Sequence, residues 1–179
     1  MQFDYEKFKA LVLYVIWRTG HFNDFGSTKL NKVLWFAEAR HFEAYGKPIT
    51  GESFIRDKHG PRSKHLLEVC DELEVAGRVE PFTERVYDYE VKRYRTLQPA
   101  DTAAFSSEEL SLIDWWITNI AERHTAASIS RFSHDYGWEL AKMGEELPLH
   151  AFLASRIREP RSKEELEWAD EEAKRLGLK

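Results

Sequence analysis

Three consecutive residues, Ser133, His134 and Asp135, have the side-chain types of a hydrolytic triad. A triad needs nucleophile, base and orienting carboxylate to converge, whereas successive side chains diverge, so the run predicts a cap or turn. Ser133 is expected to be an N-cap or a turn residue, with His134 bonded to a backbone carbonyl. Cys70 is the single cysteine and falls on the apolar stripe of a helix. Its neighbours Glu68, Asp71 and Glu72 disfavour a thiolate, so it reads as a small core residue. Seven histidines raise the question of metal, yet His59 and His65 stand six apart, and neither HExxH nor a CxxC pair occurs. His41 lies on a helical core face and reads as a hydrogen-bonded core histidine. Without a P-loop or GxGxxG, no nucleotide motif is present. No catalytic residue, metal ligand or cofactor follows from these patterns.

The densest functional lettering is FIRDKHGPRSKHL, residues 54 to 66, in which four Lys/Arg and two His surround Gly60-Pro61 and only Asp57 is acidic. It predicts a corner. Phe54 and Ile55 supply a strand, Gly60 the turn, and Pro61 the first residue of a helix running to about 76, where its missing N–H costs nothing. The cations form a solvated rim or touch a partner, with His59 and Arg62 as contact candidates.

The elements positioning these residues can be read from periodicity and caps. Apolar residues at helical spacing predict a helix over 3–18, and another over 28–45 ending at Gly46, a left-handed cap, with Pro48 beyond. After the corner and its helix, RVEPF and VYDYEVKRYRTL read as strands joined by a hairpin about Thr83-Glu84-Arg85. Ser106 and Glu109 form a capping box opening a helix to 122, and a shorter helix is expected over 126–132. Residues 133–157 read as less regular. A second box, Ser162 with Glu165, opens a final charged helix. The expected architecture is α+β: a mostly helical single domain over 1–157 with a small antiparallel hairpin or sheet, then a charged helical extension over 158–179.

Two helices carry more apolar surface than one stripe needs. Leu30, Val33, Leu34, Ala37 and His41 make an ordinary core stripe on the second helix, while Trp35 and Phe36 fall on other faces, the latter near Arg40. On the helix at 107–122, Leu112, Trp115 and Trp116 lie outside the stripe of Leu110, Ile113, Ile117 and Ile120. Such residues pack against neighbouring helices or anchor a partner. Trp35, Phe36, Arg40, Trp115 and Trp116 therefore join His59 and Arg62 as partner-contact candidates.

Bulk properties narrow the class. Among 179 residues the net charge is -5, split between +1 for residues 1–100 and -6 for 101–179. That balance opposes non-specific nucleic-acid binding. A helix–helix–strand–helix–hairpin order is compatible with a winged-helix DNA-binding regulator, but the reading helix would carry Glu68, Asp71, Glu72 and Glu74. The N-terminal stretch has charges through its apolar run and no 18-residue apolar segment occurs, so neither leader nor membrane span is expected. With one cysteine, the expectation is a cytoplasmic protein.

From Lys29 onward an ordered series stands out: Lys29-Leu30-x-Lys32-Val33-Leu34-Trp35-Phe36-Ala37, Tyr45-Gly46-x-Pro48, Phe54, Gly60-Pro61, then Ser106-x-x-Glu109, Ser133-His134 and Trp138. The series, over roughly residues 5 to 153, resembles the Panacea domain of SocA-like antitoxins. The resemblance implies a non-enzymatic binding protein encoded beside a toxin, which it neutralises by direct contact. The SocA-like branch implies instead an adaptor delivering its client to a bacterial protease. On this resemblance Lys29, Leu30, Gly46, Pro48, Gly60, Pro61, Ser133, His134 and Trp138 are structural motif residues, and none is catalytic.

Overall fold

The computed structural model describes residues 2–86 and 88–157, together with residues 167, 171, 174 and 175. Asp4 opens helix α1 (Tyr5–Thr19) by accepting the Lys7 N–H at 3.0 Å. Helix α2 (Ser27–Tyr45) ends at Gly46, whose φ of 70° is left-handed and whose N–H returns to the Phe42 carbonyl at 2.8 Å. Strands β1 (Phe54–Asp57) and β2 (Gly60–Ser63) make a tight hairpin, followed by α3 (Leu66–Val75). The long hairpin β3 (Val79–Val86) and β4 (Tyr89–Thr96) comes next. Then follow α4 (Ser107–Arg123), α5 (Ala126–Phe132), α6 (Tyr136–Leu140), β5 (Glu146–Leu147) and α7 (Leu149–Ile157).

Two small antiparallel sheets result, one ordered β2-β1-β5 and the other the β3-β4 ribbon. The α+β, mostly helical fold class expected from the sequence is the one observed. Helix α2 is its axis: α1, β2, α4, α5 and α7 all pack on it. Every residue from Lys32 to Ala39 is consequently buried. That explains the apolar residues on several faces of α2. It also buries three charged side chains, Lys29, Lys32 and Glu38, each of which needs a partner.

Three local expectations are corrected. Pro61 does not start a helix: it lies in β2 opposite Arg56, and α3 begins at Leu66. β2 is an edge strand, where a missing N–H leaves no ladder bond unmade. The cap comes later, from Ser63 Oγ accepting the Leu66 N–H at 3.0 Å. The second hairpin turns after Val86, which pairs with Tyr89, so Thr83, Glu84 and Arg85 lie within β3. No Asn-Gly or Asp-Gly marks the turn in the sequence. Residues 133–157 hold two helices and a strand rather than irregular chain. The Ser162–Glu165 box lies outside the described residues, although Glu167, Glu171, Lys174 and Arg175 are helical.

Candidate protein interface

Two groupings of side chains bring sequence-distant residues together. The first is a hub beneath the Gly60-Pro61 corner. Lys32, only 2% exposed, donates from Nζ to the Pro61 carbonyl at 2.8 Å. Burial pulls its pKa down to about 7. Gly60 has φ of 93°, and a Cβ there would fall on Ser133 Oγ and within 2.8 Å of Lys32 Nζ. Both the backbone and the space therefore require glycine.

Ser133 closes α5 and donates to the Ser130 carbonyl at 2.7 Å, while Asp135 caps α6 by accepting the Trp138 N–H at 2.8 Å. The run is thus a helix-to-helix corner: Ser133 is the C-cap of α5, and the N-cap is Asp135 rather than the serine. His134 stacks flat on Trp138, 3.6 Å between ring centres, and the expected carbonyl bond from His134 is replaced by this stack. Burial first, then the charges of Lys32 and Arg56, hold the imidazole pKa below its usual value. Trp138 Nε1 in turn donates to the Asp57 carbonyl at 3.0 Å, and the Arg56 guanidinium lies over the Trp138 ring, 4.3 Å from its centre. This hub ties α2, the β1–β2 corner, α5 and α6 together.

A shallow hollow of about 140 Å³ beside the hub is lined by His59, Arg62, Asp57 and the start of α2. Arg62 is held by Asp57 at 2.7 Å. His59 is exposed.

The second grouping is a groove of about 520 Å³ where α2, α4 and α5 meet. Arg40, Leu112, Trp115, Trp116, Asn119, Arg123, His124 and Phe132 line it. Its floor is fixed by stacking: Phe36 lies parallel to Trp116 at 4.4 Å and contacts Phe132 at 5.6 Å. Its walls are Trp115 and Phe132, each 56% exposed. Trp115 stands edge-on to Trp116 at 4.8 Å, so its position is held by a buried neighbour. Arg40 lies over Phe152 and donates to Glu43 at 2.7 Å.

The candidates from the sequence therefore separate. Arg40, Trp115 and Trp116 line one groove. Trp35 and Phe36, at 1% and 2% exposed, are core, because α2 is covered on every side. Trp116 lines the groove from a site only 4% exposed. His59 and Arg62 border the separate hollow. Phe132, Arg123 and His124 complete the groove without any signal in their local sequence, since α5 is only seven residues long. Helical wheels treat elements singly, and this groove exists only where two helices diverge.

Other expectations resolve at single residues. His41 is buried and its Nδ1 lies 2.7 Å from the Lys47 carbonyl, as a core histidine should. Cys70 is buried and unpaired, and burial pushes its thiol up to about 11. Among the described residues no group of His, Cys, Asp or Glu could hold a metal ion, and no helix is long and apolar enough to cross a membrane.

The profile of a known family, described as antitoxin SocA-like, Panacea domain, matches residues 30–139. The chain belongs to that family. No curated protein and no solved structure matches it. The Panacea match runs from α2 to α6 and contains every residue that lines the groove and every side chain of the hub. Lys29 falls just outside; its amine is fully buried, bonded to Asp24 at 2.7 Å, and pins the loop before α2. Membership in the Panacea family carries an antitoxin-associated role.

Proposed function

We propose that the chain is an antitoxin that binds a cognate toxin, the product of an adjacent gene, and neutralises it by contact without catalysis. The observation that carries this reading is the groove between α4 and α5, with Trp115 and Phe132 exposed side by side on a rigid aromatic floor. Large aromatic side chains in a preformed hollow are the usual anchors of protein interfaces, because they bury much area while losing little rotamer freedom. Fixing them in advance through the Phe36–Trp116 stack lowers the ordering cost of association.

The outer face of α3 supports contact with protein over DNA, since Glu68, Asp71, Glu72 and Glu74 are exposed there. Expressing the adjacent gene alone should arrest growth, and co-expressing this chain should restore it and yield a co-purifying complex. A neighbour that is harmless and does not bind would remove the reading. Toxin abundance should stay constant during rescue. A shortened toxin half-life would instead mark delivery to a protease.

A further inference from the structure

We infer that the α4–α5 groove accepts an acidic, amphipathic helical segment of its protein partner, an inference that rests on the toxin-binding reading and names the chemistry of that contact. Charge is the first argument. Residues 101–179 carry a net charge of -6, yet the charged and titratable residues lining the groove are Arg40, Arg123 and His124, with no carboxylate among them. Two of the four acids of α4 are engaged away from the groove, on α1, and the other two, Glu108 and Glu122, do not line it. Glu109 holds Lys7 at 2.7 Å, and Asp114 accepts from Tyr14 at 2.8 Å and lies 3.4 Å from Arg18, all on α1. The groove is therefore a cationic, apolar spot on an acidic part of the chain. Arg40 is already bonded to Glu43, so Arg123 is the principal cation.

Shape is the second argument. The groove is bounded by helices and offers no strand edge, so an extended segment would leave its backbone groups without partners. A helix satisfies its own backbone and presents apolar residues at i, i+3 or i+4 and i+7 to a hollow of this kind. Trp115, Phe132 and Leu112 would take the apolar stripe, and Arg123 the flanking carboxylates. Trp116 adds a buried indole N–H that has no acceptor among the described residues.

The test uses the full chain and two synthetic helical peptides of roughly 16 residues, long enough to hold helical structure. One has a leucine stripe with glutamates on its other faces, and its twin carries lysines in their place. The acidic peptide should bind at least about tenfold tighter than the basic twin at low salt, a gap that closes at high salt. Trp115→Ala and Phe132→Ala should each weaken it by about thirtyfold, and Arg123→Glu should invert the preference between twins. These side chains are exposed, so the variants should keep the wild-type melting temperature. Equal binding of the twins, or binding that survives all three variants, overturns the proposal.

Two other occupants are separable. A full-chain dimer that Trp115→Ala dissociates would make the occupant a second copy. A photo-crosslinker at Leu112 that captures residues 158–179 of its own chain would make it the C-terminal segment. Either result overturns the proposal. The peptide and dimer outcomes do not depend on toxicity, and in the rescue assay an unaffected Trp115→Ala variant beside wild-type rescue would sink the groove and leave the antitoxin reading standing.

Discussion

At residue scale the Gly60 position explains why an unremarkable corner constrains the whole sequence. Its left-handed backbone and the closeness of Ser133 and Lys32 make two separate demands on one site. Gly60→Ala should cost about 2–4 kcal/mol, combining backbone strain with overpacking, as read from denaturant midpoints. Adding Ser133→Ala should recover part of that loss by removing the hydroxyl, but not the share due to φ. Lys32 makes a second, pH-resolved prediction. Its folded pKa, lowered to about 7, means that folding disfavours the charged amine. The penalty is complete below about pH 7 and fades as pH rises toward the unfolded value of 10.5. Lys32→Met should therefore gain stability relative to wild type at pH 6. That gain should shrink by an amount on the order of 2 kcal/mol at pH 9, the difference implied by linkage. A pH-independent difference would show that Lys32 stays charged, with an unshifted pKa, in the folded chain. Glu38 is its counterpart: burial raises its carboxyl to about 7, against donors from Ile49, Thr50 and Gly51 that favour the anion.

At the scale of elements, α4 shows how one residue can serve both helix and fold. Ser106 accepts the Glu109 N–H, and Glu109 answers by accepting the Ser106 N–H at 2.9 Å. The same carboxylate also reaches Lys7 on α1. Ser106→Ala should cost about 1 kcal/mol, the ordinary loss of a cap. Glu109→Ala should cost more, because Lys7 is half-buried and loses its partner, and a double-mutant cycle with Lys7→Met should expose the coupling. Helix α2 behaves differently, since its role is packing on all sides. Trp35→Ala, against Phe54 at 5.2 Å and Phe152 at 6.1 Å, should cost about 3–5 kcal/mol and lower the melting temperature. Trp115→Ala on α4 should barely change it. The contrast between these two tryptophans separates core from contact surface by calorimetry alone.

On the scale of the whole molecule, the proposed contact surface falls at the join between helices rather than within any of them. Helix α2 is covered on every side, whereas α4 and α5 leave part of their surfaces open, and at their junction Trp115 and Phe132 remain uncovered. A partner bound there should slow its association as salt rises, because the rim cations steer acidic segments. Stopped-flow binding of the purified toxin at two ionic strengths would measure this. A rate indifferent to salt would exclude a charge-guided encounter.

The sequence alone determined the positions of α1, α2, α4 and α5, the caps at Gly46 and Ser106, the α+β class and the inert settings of Cys70 and His41. These are local, set by spacing, propensity and the chemistry of chain ends. It also marked Trp35, Phe36, Trp115 and Trp116 as surplus to a single stripe, but could not sort them. Burial depends on what a neighbouring element covers, and no wheel contains its neighbours. Only the tertiary structure placed Trp35 and Phe36 inside, left Trp115 outside and set Phe132 beside it. It likewise moved Pro61 from a helix start to an edge strand, because the pairing of Phe54 with Ser63 outweighed the local preference of Gly-Pro to open a helix.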